Sequence, residues 1–150
     1  VNHAIRDKIS NSQDKDPRDK ILDIVEAVWD LYINDPITIA FIIMNTGNTD
    51  TLIIGGKKEA SISEENVKYI RVIEKLCHEC ISKKLVSPAL TAVALNEGIL
   101  GITEGILLGW YLADKSGGDY LHKISRDEAR TLLSVLLFSN FNDGKQKQVK

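Results

Sequence analysis

Three groups of residues in this chain have the types and spacing that chemistry needs. Cys77-His78-Glu79-Cys80 sets two thiols three positions apart around an imidazole and a carboxylate, the raw material of a metal or redox site. On a helix the two cysteines share a face, but His78 points about 100° away from Cys77. No second ligand pair occurs elsewhere, and both cysteines continue the apolar series Val67, Ile70, Ile73. They read as core cysteines, with a metal or redox role as the competing reading, and no metal is expected. Glu97 and Glu104 are seven residues apart within an otherwise apolar run, so on a helix they share a face. A carboxylate buried there must be paired, hydrogen-bonded or protonated. Pairing with a Lys, an Arg or a helix terminus is one reading, and an orienting polar group in a ligand pocket is another. Paired catalytic carboxylates are disfavoured, because no nearby His, Ser or Cys completes an acid-base or nucleophile set.

The third group is glycine. Gly98, Gly101, Gly105 and Gly109 fall within about 80° of one another at about 100° per residue. Each costs about 1 kcal/mol against alanine inside a helix, so four on one side call for a compensating close approach. Packing against a helix of the same chain, a subunit interface, or a ligand lying on bare backbone would each supply it. His3 and His122 are isolated, and Gly55-Gly56-Lys57-Lys58 has too few of the residues of a nucleotide loop. With no nucleophile elbow or dinucleotide fingerprint, the chain is expected not to be an enzyme and to need no cofactor.

The elements that must position these residues are legible from their punctuation. Asp16-Pro17, Asp35-Pro36 and Ser87-Pro88 each pair a capping residue with a proline and predict a helix start. Ser61-Ile62-Ser63-Glu64 predicts another, with either serine as the cap, and Ser125-Arg126-Asp127-Glu128 has the spacing of a capping box. Apolar residues at Ile21, Ile24, Val25, Val28, Trp29, Leu31 and Tyr32 predict an amphipathic helix from Pro17 to about Asn34. A shorter apolar helix follows from Pro36 to about Thr46, then a glycine-containing connection over 47–60 with a brief extended piece at 52–54. A long helix with one apolar stripe is predicted from about Ser63 to Lys84. The segment from Pro88 to Ala113 is apolar on nearly every side, so it must be covered all round, by its own domain and by a second chain. The last helix is predicted from Arg126 to about Phe141, and 143–150 form a polar tail. The expected fold is all-α, five to six helices in an antiparallel bundle, one domain over 13–142.

Composition limits the function classes. Nineteen Lys and Arg against 21 Asp and Glu argue against a large phosphate-gripping face. Two cysteines are too few for a secreted disulfide scaffold, and the sequence VNHAIRDKIS lacks the apolar core of a signal peptide. The longest apolar stretch, interrupted by Glu104, is shorter than the ~20 residues of a membrane span. A soluble, cytoplasmic protein without a membrane partner is therefore expected. The aromatic residues, Trp29 and Tyr32, Phe41 beside Met44, and Trp110 with Tyr111, suit either a core or a small-molecule pocket.

This succession resembles the C-terminal regulatory domain of the TetR family of bacterial transcriptional regulators. The likeness begins at Asp16-Pro17-Arg18-Asp19-Lys20-Ile21-Leu22, continues through the Asp35-Pro36 helix and the long charged helix with Ile70 and Ile73, and includes Leu95 to Trp110 with its glycines. The closing helix, Glu128 to Phe141, completes it. It implies a homodimer whose last two long helices form a four-helix interface with their symmetry mates, using Gly98, Gly101, Gly105, Gly109, Leu132, Leu133, Leu136 and Leu137. It also implies a pocket for a small, mainly apolar effector, expected at Trp29, Tyr32, Phe41, Met44, Ile73, Cys77, Glu97, Leu100 and Glu104. DNA would be read only through an N-terminal helix-turn-helix, which this sequence does not contain; residues 1–12 resemble the remainder of the connecting helix. The alternative is a helical protein–protein interaction module without a ligand pocket.

Overall fold

The computed structural model describes residues 14–37, 60–117 and 123–139. Four helices carry them: α1 (Pro17–Asn34), α2 (Ala60–Ser82), α3 (Ala92–Lys115) and α4 (Arg126–Phe138). Among the described residues there is no strand, so the all-α class is correct. Of the expected Pro36 helix only Pro36 and Ile37 are described, and both are helical. The remainder of that helix, the 47–60 connection up to 59, residues 1–12 and the tail lie outside the described residues, as do Phe41, Met44, His3 and His122.

Local chemistry accounts for the helix starts. Asp16 caps α1 by accepting from the Arg18 amide at 2.9 Å, and Pro17 fills the first position, where a missing donor costs nothing. The capping box of α4 is complete: the Glu128 amide donates to Ser125 Oγ at 3.2 Å, and the Ser125 amide donates to Glu128 Oε2 at 2.7 Å. Three expectations are corrected. Ser87-Pro88 does not start a helix but makes a turn, closed by the Leu90 amide on the Ser87 carbonyl at 3.1 Å. The α3 cap is Thr91, whose hydroxyl accepts from the Ala94 amide at 3.1 Å. Ser61 and Ser63 lie inside α2, which is already helical at Ala60, and α4 stops at Phe138, three residues before the expected end.

Helices α1 and α3 each pack against all three others. Their inner faces supply Ile21, Ile24, Val25, Trp29 and Tyr32 from α1, and Leu95, Ile99, Leu107 and Trp110 from α3. Ile73, Cys77 and Cys80 of α2 and Ala129, Leu133 and Leu137 of α4 complete the core, each larger aliphatic side chain contributing about 1.5–3 kcal/mol by leaving water. Polar ties fix the relative placement of α1 and α4. Glu26, only 7% exposed, accepts from Arg130 and pairs with Arg126 at 3.3 Å, while Arg126 Nε reaches Asp30 at 2.9 Å. At the other end Arg18 binds Asp16, donates to the Leu85 carbonyl at 3.0 Å and lies 4.5 Å over the ring of Phe138.

Among the described residues α3 is the one helix long and apolar enough to cross a membrane by length and composition. Its inner side is occupied by the core, and its outer side carries the two glutamates.

Candidate functional site

The residues singled out in the sequence separate into two places. Trp29, Tyr32, Ile73 and Cys77 belong to the innermost core, and Leu100 packs against it half-buried. Glu97 and Glu104 are exposed on the far side of α3. Among the described residues the glutamates and the aromatics are therefore not brought together. An apolar run this dense does not show which side faces out, and the two hydrated carboxylates settle it at lower cost than burial would. Glu104 still feels its setting: partial desolvation first, then the negative charge of Glu97, raise its carboxyl above the ordinary range.

The aromatic cluster occupies the junction of α1 and α3. Trp29 and Trp110 meet edge to face with centroids 6.1 Å apart, and Tyr32 lies 5.9 Å from Trp110. The Trp110 indole donates to the Ile124 carbonyl at 2.8 Å, and the Tyr32 hydroxyl donates to Asp114 at 3.2 Å. Burial, aided by that hydrogen bond to Asp114, pushes the Tyr32 phenol up to about 12, so it stays a donor. Lys123 binds Asp114 at 2.9 Å and holds its carboxyl below the usual range. Trp29 is different. It is 0% exposed and its indole N–H has no hydrogen-bond partner, a deficit that costs about 1–3 kcal/mol in a dry interior. Asn96, buried on α3, has an unpartnered Oδ1 in the same condition.

The two thiols do not form a reactive site. Cys77 and Cys80 are both fully buried, and desolvation pushes them up to about 12 and about 11. His78 is exposed on the opposite side of α2. Among the described residues no group of three or more His, Cys, Asp or Glu is placed to hold a metal ion.

The second place is the outer face of α3 and α4. A Cβ built on Gly101, Gly105 or Gly109 would meet nothing within 4 Å, whereas one on Gly98 would reach Leu136 of α4 at 3.4 Å. Among the described residues the glycine ridge therefore does not serve close helix packing, except at Gly98. Beside the open glycines stand Leu108 and Leu112, each 43% exposed, and Val93. On α4, Leu132 (53%), Val135 (58%) and Phe138 are exposed. Of the α4 residues expected at an interface, Leu132 is open and Leu136 half-buried, but Leu133 and Leu137 are fully buried in the chain's own core. Periodicity could have separated them, since Ala129, Leu133 and Leu137 repeat every four residues and define the inner stripe. Val93, Leu108, Leu112, Val135 and Phe138 went unnoticed in the sequence because each also fits a core position.

Comparison of the chain with protein families, with curated proteins and with solved structures gives no match in any of the three. The fold and the open face thus define the class that can be stated: an all-α domain with a buried aromatic cluster and an apolar face on α3 and α4 that the described residues leave exposed.

Proposed function

We propose that this chain is the effector-binding and dimerisation domain of a transcriptional regulator resembling the TetR family. In this reading a small apolar effector shifts the arrangement of two copies, and thereby DNA binding by a helix-turn-helix outside this chain. The observation that carries it is the open face of α3 and α4, where exposed leucines lie beside glycines with empty space above them. Contiguous exposed apolar surface of that kind marks an interaction site. The unpartnered Trp29 donor within the aromatic cluster supports an effector carrying one acceptor on an otherwise apolar body. Such an effector acts only through different affinities for two dimer arrangements.

One observation favours the second reading, an interaction module without a ligand pocket: Glu97 and Glu104 stand on the open face and not among the aromatics. Native mass spectrometry of the purified chain, gently sprayed and then partially denatured, separates the two. A dimer of twice 16.7 kDa with a small dissociable adduct supports the regulatory domain. A monomer without an adduct supports the module.

A further inference from the structure

The open face of α3 is complementary to itself, and we infer that it seats α3 of a second copy antiparallel, about a two-fold axis passing between Gly105 and Leu108. The inference rests on the dimerisation half of the reading above and adds to it the orientation, the register and the contacts that set them. At about 100° per residue, Gly101, Gly105, Leu108 and Leu112 line one side of α3, with Glu97 and Lys115 along the same edge. The leucines are exposed knobs; above Gly101 and Gly105 there is room for them. An antiparallel two-fold at this level sets Leu108 of the second copy over Gly105 and Leu112 of the second copy over Gly101, and the symmetry repeats both contacts. Registers that shift the axis by two residues toward Gly101 instead set Leu112 against Glu97 and Gly105 against Glu104, burying carboxylates against apolar groups, which is costly.

The Glu97 and Lys115 charges at the ends of the helix fit the same register. Glu97 and Lys115 are about five turns apart at ~3.6 residues per turn and stand on one line of the helix. Both are exposed, and among the described residues Glu97 has no ion pair. Lys115 only rests its ammonium 5.7 Å over the ring of Tyr111. With the axis between Gly105 and Leu108, Glu97 of each copy comes within one residue of the level of Lys115 of the other, so two opposite-charge pairs close the ends of the contact. A parallel pairing would place Glu97 on Glu97 and Lys115 on Lys115. Helix α4 flanks α3 on the Gly98 side, where Leu136 fills the gap.

The test is charge reversal followed by sedimentation equilibrium at low salt. Glu97→Lys and Lys115→Glu each turn two attractions into two repulsions, and each should weaken self-association by about tenfold or more. An equimolar mixture of the two variants restores both attractions in the heterodimer, and wild-type affinity should return. Both positions are on the surface, and a circular dichroism spectrum verifies that each variant is folded. Gly101→Leu, which blocks the seat of Leu112, provides an independent check; it should disrupt the dimer and be relieved by Leu112→Ala. A wild-type dimer indifferent to the single reversals and to Gly101→Leu overturns this register while leaving dimerisation standing. A wild-type chain that stays monomeric overturns the inference and the dimerisation reading together.

Discussion

Glu26 illustrates how much a single buried carboxylate depends on its partners. It is held between Arg126 and Arg130, and both arginines keep part of their surface in water. Removing Glu26 therefore leaves two charges that can be hydrated, whereas removing both arginines leaves an uncompensated charge in the core. The double variant Arg126→Ala, Arg130→Ala should lose about 3 kcal/mol, and Glu26→Gln about 1 kcal/mol, after allowance for solvent screening of the exposed arginines. Urea denaturation of the three chains checks the order. Cys77 and Cys80 give a second prediction on this scale. With both thiols buried and pushed to about 12 and about 11, the folded chain should resist alkylation near pH 8, where an exposed thiol reacts readily. Labelling should appear only at the rate of unfolding, read by mass spectrometry over time in increasing urea.

For the helices, the starts were readable where a side chain caps its own first turn. Asp16 and the Ser125–Glu128 pair act over two or three residues, and nothing distant competes with them. Ser87-Pro88 misled because the same dipeptide begins a turn as readily as a helix, and the choice was made by Thr91 four residues on. Thr91→Ala should therefore cost about 1 kcal/mol of stability, while Pro88→Ala should change the thermal midpoint little. The glycines of α3 offer a complementary case. Among the described residues Gly109 has no neighbour that a methyl group would strike, so Gly109→Ala should stabilise the chain by about 0.5–1 kcal/mol through helix propensity. The orientation of α3 was not legible at all. Its apolar residues surround the helix, and only the placement of α1, α2 and α4 determines that Leu107 and Trp110 turn inward while Leu108 and Leu112 turn out. The candidate site divided for the same reason: the aromatic half was visible as residues that belong in a core, and the glutamate half depended on which way one helix was turned.

Across the whole molecule, the carboxylates give stability a pH dependence whose sign can be worked out. The hydrogen bond from Arg18 lowers Asp16, that from Lys123 lowers Asp114, and the Ser125 amide lowers Glu128. Each contributes stability that is present above the unfolded-state carboxylate range and is lost as pH falls through the lower folded value. Glu104 runs the other way, since its raised folded value means a penalty at neutral pH that vanishes as it protonates. Three groups against one predict a urea midpoint that falls from about pH 6 to about pH 3, with Glu104→Gln slightly more stable than wild type at neutral pH.

Arg18 has a mechanical consequence. Its guanidinium joins Asp16, where the chain enters α1, to the Leu85 carbonyl before α3 and to the ring of Phe138 at the end of α4. A displacement of the start of α1 therefore has to break or carry with it the last turn of α4 and the α2–α3 turn. One guanidinium thus couples the entry to α1, the approach to α3 and the rim of the open face, so these three places shift together or not at all.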